Sequence, residues 1–412
     1  MHGVTRRSFL QTAAIAVGAT IVGKTKVVAD SRPALKFPAD VKITEIVSTR
    51  HYARHPRKIG RNSFRDHGAG HREPLVRVET NVGVEGIGNT LDDKVVGKTL
   101  GELLEVRDGR LRLRESARRM IKPTPQSLLL NTVGKLLKRP AAELMGPIVR
   151  REVLCYDGSI YMRDLDHAKG VILKDTTDGM NAGHRAFKVK IGRGNWLKDR
   201  RLGYERDLRA IRIVHKALAG GGHVLVDANN YYNLEESIRL LRDTADIKLY
   251  WAEEMFREDA ANHDDYRRLR AYIKDKKLPT LLADGESGRG GGDLLTLLKK
   301  GIVQVSQPDI RTLGIFRFLD YARGIEPFGA TIAPHTWAKQ LGVLETCLLG
   351  MVVPNFTMVE DCRLESDVVR LPHLRIRDGR MTVGDAPGLG VVVDEAAYKK
   401  ECAPHARTVK AG

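Results

Sequence analysis

The segments that decide the fold lie in the second half of the chain, where short apolar runs each end in charged residues. Three of them read Ala186-Phe-Lys-Val-Lys-Ile191, Val224-Leu-Val-Asp227 and Leu249-Tyr-Trp-Ala-Glu-Glu254. Similar runs recur about every 30 residues, the length of one strand and one helix. This repeat predicts a closed (β/α) barrel rather than an open sheet. We predict eight barrel strands, at Val153–Tyr156, Ala186–Ile191, Val224–Asp227, Leu249–Ala252, Leu281–Ala283, Val303–Ser306, Thr331–Ala333 and Thr357–Val359.

The composition describes a folded protein that is large enough for two domains. The chain has 412 residues, of which 42% are apolar and 29% charged. No uncharged apolar run reaches the roughly 18 residues of a membrane span, which excludes a polytopic membrane protein. The net charge of +18 favours acidic partners such as small carboxylates, anionic lipid or nucleic acid. Four cysteines without a C-x-x-C pair form neither a disulfide scaffold nor a zinc site. We expect buried free thiols, with one disulfide as the alternative.

Residues 1–29 have the pattern of an export signal. The string Arg6-Arg-Ser-Phe-Leu10 precedes a short apolar run that ends at Gly23, and a basic region followed by an apolar one is typical of exported proteins. The arginine pair resembles the twin-arginine motif, which is an address read by a receptor. We therefore expect a bacterial, periplasmic protein whose mature chain starts at Asp30 and has no stable membrane span. An uncleaved membrane tether and an ordinary secretion signal are the alternatives.

The region before the barrel has a different pattern, which predicts a separate α+β domain. Period-two alternation between Val41 and Gly88 predicts an antiparallel sheet. Leucines at helical spacing then predict helices over residues 94–148. We predict a capping domain at 30–150, a barrel domain at 151–370, and a C-terminal tail at 371–412 that completes the capping domain.

A loop rich in arginine and histidine is predicted over residues 51–72. It carries ten Arg, Lys and His side chains against the single acidic residue Asp66. We expect this loop to fold over the barrel mouth and to donate hydrogen bonds to an anionic, hydroxylated substrate. Arg57 and Arg61 are the predicted substrate-binding residues of the loop. A solvated basic loop without a ligand is the alternative.

Functional groups follow seven of the predicted strands, at the end where barrel active sites lie. Alternation along the second strand directs Lys188 and Lys190 to the same side, into the barrel mouth. The third to fifth strands end in carboxylates, whose mutual repulsion requires a cation, and oxygen ligands select a hard divalent ion such as Mg²⁺. A helix N-cap explains any one carboxylate, but it does not explain the whole series. The series is Lys188-x-Lys190, Asp227-x-Asn229, Glu253-Glu254, Asp284-x-Glu286, Gln307-Pro-Asp309, His335-Thr-Trp337 and Glu360.

In this order the motifs closely resemble the mandelate racemase and muconate lactonizing branch of the enolase superfamily. The resemblance covers about residues 40–400. It implies an α/β protein with a modified TIM barrel, (β/α)7β, beneath an α+β capping domain, and it implies a homo-oligomer. It also implies one Mg²⁺ per subunit, with Mn²⁺ as a substitute, held by Asp227, Glu253 and Glu286. Asp284 stays open as an alternative third ligand.

The same resemblance implies the catalytic roles. Lys190 would be a base on one face of the substrate, with Lys188 beside it, and the His335–Asp309 dyad would act on the other face. Glu360 would hydrogen-bond the substrate carboxylate. Since Lys190 must be neutral to act as a base, we expect Lys188 and the nearby cation to depress its pKa by repulsion between like charges.

These groups are suited to removing a proton alpha to a carboxylate, which forms an enediolate. Loss of a β-hydroxyl would then dehydrate a sugar acid, an aldonate or uronate, to a 2-keto-3-deoxy acid. Return of a proton would instead racemise or epimerise a 2-hydroxy acid. The basic loop favours dehydration, with Asn229 and Trp337 as further substrate contacts. A non-catalytic polyanion-binding protein is the alternative from another class, and nucleic acid is not expected because no aromatic residues interleave the basic ones.

Overall fold

The computed structural model describes residues 35–119, 121, 126–167, 170–287, 292–337 and 339–412. The predicted export signal at residues 1–29 lies outside the described residues. Among those residues, every cysteine is a buried free thiol, as expected. Within these described ranges, the helices are too short or too polar to cross a membrane.

The N-terminal part of the described chain is a small α+β domain built on one long hairpin. Strands β1 and β4 run antiparallel, from the pair Ile43 and Thr80 to the pair Arg54 and Gly70. Strand β5 extends this sheet beside β4, and β6 and β7 form a second hairpin. The elements are β1 Ile43–Arg54, β2 Gly60–Arg61, β3 Asp66–His67, β4 Gly70–Thr80, β5 Gly86–Gly88, α1 Leu100–Leu103, β6 Leu104–Arg107, β7 Arg110–Leu113, α2 Glu115–Arg118, α3 Ser127–Leu137 and α4 Ala141–Met145.

The prediction of a loop over residues 51–72 is wrong at both ends. Residues 51–54 lengthen β1 and residues 70–72 lengthen β4. The ladder continues because His51 and Ala53 are fully buried on its inner side. The His51 ring is paired there with the Ser366 hydroxyl, 2.8 Å from Nδ1. Only residues 55–69 lie between these two strands and can reach the barrel, and we call this segment the hairpin tip.

The central part of the chain is a closed barrel of eight parallel strands. Neighbouring strands pair in parallel from β8 to β14, and β15 pairs with β8. A parallel bridge between Ile332 and Phe356 joins the two ends of the sheet. All eight predicted strands overlap the observed ones, and the predicted fold class is confirmed. The strands are β8 Glu152–Ile160, β9 Ala186–Lys190, β10 His223–Asp227, β11 Trp251–Glu253, β12 Leu281–Asp284, β13 Val305–Ser306, β14 Thr331–Ile332 and β15 Val359–Asp361.

Helices cover the outside of the barrel, and apolar side chains fill its lower interior. The interior cluster contains Tyr156, Leu225, Trp251, Val305 and Met358, each contributed by a barrel strand or the residue before it. Side chains therefore fill the lower interior of the barrel, and the active site can lie only at the C-terminal ends of the strands. The helices are α5 Val171–Asn181, α6 Gly194–Leu197, α7 Arg200–Leu218, α8 Leu234–Asp243, α9 His263–Asp275, α10 Asp293–Lys299, α11 Ile310–Leu313, α12 Ile315–Ile325 and α13 Gln340–Val352.

The C-terminal tail connects the two parts. Strand β21 pairs with β1 of the N-terminal sheet, whereas the β18–β19 hairpin pairs with β8 of the barrel. The tail therefore adds its last strand to the N-terminal sheet. The elements after β15 are β16 Glu365–Ser366, β17 Val369–Arg370, β18 Leu374–Arg377, β19 Arg380–Val383, β20 Val392–Val393, α14 Glu395–Glu401 and β21 Arg407–Lys410.

Candidate active site

The two lysines of β9 both lie inside the barrel mouth and are almost completely buried. Lys188 Nζ lies 2.5 Å from Glu253 Oε1, 3.0 Å from Glu360 Oε1 and 3.4 Å from Asp227 Oδ2. Lys190 Nζ is hydrogen-bonded to the same Asp227 oxygen. The alternation of β9 thus brings both ammonium groups to the carboxylates, as the sequence predicts for neighbouring parallel strands.

Three carboxylates from neighbouring strands form a cluster that can hold a metal ion. Asp227 ends β10, Glu253 ends β11 and Glu286 follows β12, and one oxygen of each lies within 4.8 Å of the others. The Glu253 Oε2 atom also accepts hydrogen bonds of 2.9 Å from Trp251 Nε1 and from Gln307 Nε2. Burial and the charge of Asp227 raise the pKa of Glu253, against the effect of Lys188. The three carboxylates are therefore held together against their own repulsion.

The structure separates Glu286 from Asp284, the alternative third ligand. The Asp284 side chain is fully buried and accepts hydrogen bonds from the Tyr266 hydroxyl and from the Gly285 backbone N–H. Glu286, two residues later, lies in the metal-type cluster with Asp227. Its Oε2 atom is buried and has no hydrogen-bond partner among the described residues. The geometry therefore favours Glu286 as the third ligand.

A histidine–aspartate pair stands at the other side of the cluster. His335 Nδ1 lies 2.8 Å from Asp309 Oδ2, and His335 Nε2 lies 3.4 Å from Glu286 Oε2. Arg311 donates to both oxygens of Asp309, which fixes the plane of that carboxylate. Burial lowers the pKa of His335, but Glu286 and Asp309 outweigh it and raise the pKa to about 9. His335 is thus oriented by Asp309 with its Nε2 towards the carboxylate cluster.

Glu360 completes the group at the end of β15. Its Oε2 atom accepts a hydrogen bond of 2.9 Å from the Thr336 N–H, and its Oε1 atom faces Lys188. Burial raises the pKa of Glu360, but the positive charges of Lys188 and His335 lower it by more, so the net shift of this pKa is downward. Glu360 is therefore an ionised carboxylate that lies between the lysine pair and the histidine.

The expectation that the pKa of Lys190 is depressed is wrong for the protein alone. Burial, the largest effect, and the charge of Lys188 lower the pKa of Lys190, but the carboxylates of Asp227, Glu286 and Glu253 together raise it more. The net shift is therefore upward. The expectation rested on Lys188 and on a cation at the site, and it did not include the carboxylate that β10 places against the ammonium group.

The remaining predicted substrate contacts fall into two groups. Asn229 lies beside the cluster and donates its backbone N–H to Asp227 Oδ1 at 2.8 Å, whereas Trp337 packs against the His67 ring of the hairpin tip. Arg57 is instead paired with Asp175 of α5 at 2.8 Å. Arg61 is paired with Asp166 at 3.0 Å, as well as with Asp66, and covers the Trp196 ring. These two arginines attach the hairpin tip to the barrel, so the structure does not bring them to the cluster.

Several residues near the site were given no role from the sequence. Trp251, Gln307 and Arg311 contact the predicted groups directly, and their positions follow from the register of neighbouring strands. His67 and Tyr161 belong to the surroundings of Lys190. No local sequence signal separates His67 from the other histidines of its segment, because its role depends on where the hairpin tip meets the barrel.

The fold and the site together define a barrel enzyme that removes protons from carboxylate substrates. Residues 173–397, more than half of the chain, match the family described as Enolase C-terminal domain-like, and the chain belongs to that family. It is similar to D-galactarolactone cycloisomerase of Agrobacterium fabrum, with 26% identity over 277 residues, 64% of this chain and 69% of that protein.

Solved structures show the same likeness over nearly the whole chain. A variant of galacturonate dehydratase from Geobacillus sp. complexed with Mg has a TM-score of 0.82 and 25% identity, and the match covers 92% of this chain and 100% of that chain. The galacturonate dehydratase from Geobacillus sp. complexed with D-galacturonate and 5-keto-4-deoxy-D-galacturonate has a TM-score of 0.80 and 27% identity, over 90% and 99% of the two chains. These relatives are enzymes, so the non-catalytic alternative is not supported.

Proposed function

We propose that this protein is a Mg²⁺-dependent dehydratase of sugar acids, which converts an aldonate or uronate to a 2-keto-3-deoxy acid. One observation carries the proposal: two groups able to transfer protons flank one carboxylate cluster. Lys190 meets the cluster at Asp227, and His335 meets it at Glu286. The similarity to a galacturonate dehydratase supports a hydroxylated acid as the substrate.

The residues of the cluster fit a hard divalent cation. Asp227, Glu253 and Glu286 supply only carboxylate oxygens, the ligand type that Mg²⁺ and Mn²⁺ accept. The buried Oε2 atom of Glu286 has no hydrogen bond among the described residues and only the 3.4 Å contact with His335, which suits a metal ligand better than a structural carboxylate. When bound there, the ion supplies positive charge beside the substrate carboxylate, where negative charge develops as the α-proton leaves.

The chain's own residues then divide the proton transfers. Lys190 Nζ, released from Asp227 and deprotonated, takes the α-proton of the substrate. The Nε2 atom of His335 delivers a proton to the departing β-hydroxyl, since Asp309 holds the opposite ring nitrogen. Lys188 remains between Glu253 and Glu360 and keeps these carboxylates in place. Return of a proton to the α-carbon by His335 would instead give the racemase or epimerase reaction.

Proton NMR in D₂O tests the proposal. The mature protein with Mg²⁺ is incubated with a panel of aldonic, uronic and simple 2-hydroxy acids. A 2-keto-3-deoxy product establishes dehydration, whereas exchange of the α-proton without loss of water establishes racemase or epimerase chemistry instead. Lys190→Met and His335→Asn should each lose turnover by about 10³-fold or more. Lys174→Met, at an exposed site on α5, should not. No reaction with any acid at saturating Mg²⁺ would refute the assignment.

We also propose that the protein acts in the periplasm after twin-arginine export. Support comes from the Arg6-Arg7 pair and the apolar run behind it. The test is cell fractionation of the full chain. Export of the natural sequence and its loss in a double substitution, Arg6→Lys with Arg7→Lys, are expected, and equal export of both forms would contradict the proposal.

We propose, finally, that the protein is a homo-oligomer. The support is the resemblance stated above, since related barrel enzymes commonly assemble. Light scattering on the purified mature protein gives the mass of the particle. A mass equal to one chain at micromolar concentration would contradict this proposal.

A further inference from the structure

The hairpin tip of the capping domain meets the barrel mouth through three rings. The His67 imidazole packs edge-on against the Trp337 indole, with centroids 4.7 Å apart, and against the Tyr161 ring at 5.2 Å. Lys190 Nζ lies 5.5 Å from the centroid of the Tyr161 ring. We call these three rings the aromatic wall. Because it adjoins Lys190, the wall borders the space where a substrate would extend away from the carboxylate cluster.

Two polar atoms of the aromatic wall have no hydrogen-bond partner among the described residues. They are His67 Nε2 and Trp337 Nε1, and both are buried. Buried polar atoms are nearly always paired in folded proteins, with a protein group, a water or a ligand. The indole N–H can only donate a hydrogen bond, whereas an imidazole nitrogen can donate or accept one. A hydroxyl group, which both accepts and donates, is therefore a suitable partner for this pair of atoms.

The aromatic wall presents rings rather than a fixed cation. Burial, together with the nearby charge of Lys190, lowers the pKa of His67 to about 4, so its imidazole is neutral at neutral pH. The two charged neighbours of His67 on the tip, Arg65 and Asp66, are exposed and opposite in sign. Against these rings a second carboxylate would lose its hydration, and the rings supply no ion pair in exchange, which is unfavourable.

Three guanidinium groups near the site are already engaged with carboxylates elsewhere. Arg57 is paired with the fully buried Asp175, and Arg61 with Asp166. Arg311, on the opposite side of the site, is held by both oxygens of Asp309. At the aromatic wall, the described residues therefore present neutral hydrogen-bonding groups to the far end of a substrate.

We propose that His67 and Trp337 are specificity-determining residues, which hold the uncharged, hydroxylated end of a sugar monocarboxylate. The proposal rests on the dehydratase function proposed above and narrows its substrate class. Aldonates and uronates are favoured, and aldarates, which carry a carboxylate at each end, are disfavoured.

The first experiment compares substrates on the unmodified enzyme. Values of kcat/KM are measured with Mg²⁺ for a panel of monocarboxylates, such as D-galacturonate and D-gluconate, and for the matching dicarboxylates galactarate and D-glucarate. The best monocarboxylate should exceed its matching dicarboxylate by about 100-fold or more, because the second carboxylate finds no counter-charge. A dicarboxylate as the best substrate would overturn the proposal and leave the dehydratase function intact.

The second experiment removes the polar atoms of the wall without removing the rings. Trp337→Phe and His67→Phe should raise KM for the best sugar acid by roughly 10-fold each, as expected for the loss of one hydrogen bond. Their effect on α-proton exchange of glycerate, which is too short to reach the wall, should be at least about 5-fold smaller. His405→Asn, at an exposed position of the tail, is the matched control and should change neither value.

A third variant tests the role of charge directly. His67→Arg should improve the ratio of dicarboxylate to monocarboxylate turnover by about 10-fold, because it adds a cation to the wall. Equal losses on glycerate and on the sugar acid in the phenylalanine variants would show a structural role and overturn the proposal. An unmodified enzyme that fails to exchange the α-proton of any acid would instead overturn the dehydratase function, and this inference with it.

Discussion

Replacing Arg193 by methionine is expected to lower the free energy of unfolding by about 3–5 kcal/mol, the usual cost of breaking a buried ion pair. The Arg193 side chain is fully buried between two carboxylates, just after the strand that carries Lys190. Nη1 donates to Asp207 at 2.7 Å and to the Lys190 carbonyl at 2.9 Å, and Nη2 donates to Asp164 at 2.7 Å.

The magnitude follows from what the substitution leaves behind. Asp207 is 1% exposed, and without the Arg193 guanidinium its carboxylate keeps the Gly192 N–H at 2.8 Å, the Tyr232 hydroxyl at 2.9 Å and a weak contact with the backbone N–H of residue 193 at 3.4 Å. These neutral hydrogen bonds do not replace a counter-charge at a site that water cannot reach. Asp164 is partly exposed and stays paired with Arg206, so the loss of its contact with Arg193 costs less stability.

Urea unfolding followed by circular dichroism measures this effect. Arg201→Met is the matched control, because Arg201 forms an exposed pair with Glu205 at 2.8 Å, and such pairs contribute about 0.5 kcal/mol or less. Adding Asp207→Asn to Arg193→Met should recover at least about 1 kcal/mol, since it removes the unpaired charge. A loss below about 1 kcal/mol for Arg193→Met, or no recovery in the double variant, would refute this account.

Three further predictions concern pH, the hairpin tip and the metal. Burial raises the pKa of Glu345 to about 8, so the folded protein keeps a proton that the unfolded chain loses above about pH 4.5. The stabilisation that comes from this bound proton is complete below that pH and declines as the pH rises towards 8. Glu345→Gln should flatten this decline of the unfolding free energy in urea titrations at several pH values. An identical slope for both proteins would contradict the assignment. The buried Ser63 hydroxyl lies 2.7 Å from the carbonyls of both Ile191 and Ala228, so Ser63→Ala should raise KM several-fold more than it lowers kcat, and equal effects on the two would argue against a role in positioning the hairpin tip. Mg²⁺ should raise the melting temperature of the natural protein by several degrees and of Asp227→Asn much less, and scanning calorimetry with and without EDTA would disprove the site if both responded alike.

The barrel and its metal-type cluster could be predicted from the sequence because their signals are local. Each strand is a short apolar run, and its functional group follows within two or three residues. Strand order then brings consecutive ends such as Asp227 and Glu253 together without any knowledge of side-chain packing. The distinction between Asp284 and Glu286 required the structure, because it depends on the hydrogen bond that Tyr266 of helix α9 donates to Asp284.

The role of the basic segment could not be predicted in the same way. A count of charges shows that Arg57 and Arg61 are cations, but their partners Asp175 and Asp166 lie more than 100 residues further along the chain. The pKa of Lys190 was misjudged for the same reason, since its strongest partner belongs to the next strand. Charge composition indicates what a segment can bind, and tertiary structure decides whether it binds a substrate or the protein itself.

The attachment of the hairpin tip suggests how substrate recognition is coupled to the catalytic groups. Ser63 contacts the carbonyls of Ile191 and Ala228, each of which directly follows a residue of the site, Lys190 or Asp227. The hairpin tip is therefore positioned by the same two strand ends that present the proposed base and the first metal ligand. Since His67 lies on this tip, a displacement of either strand end would move the aromatic wall as well. The barrel thus fixes both where the α-proton is removed and where the far end of the substrate is held.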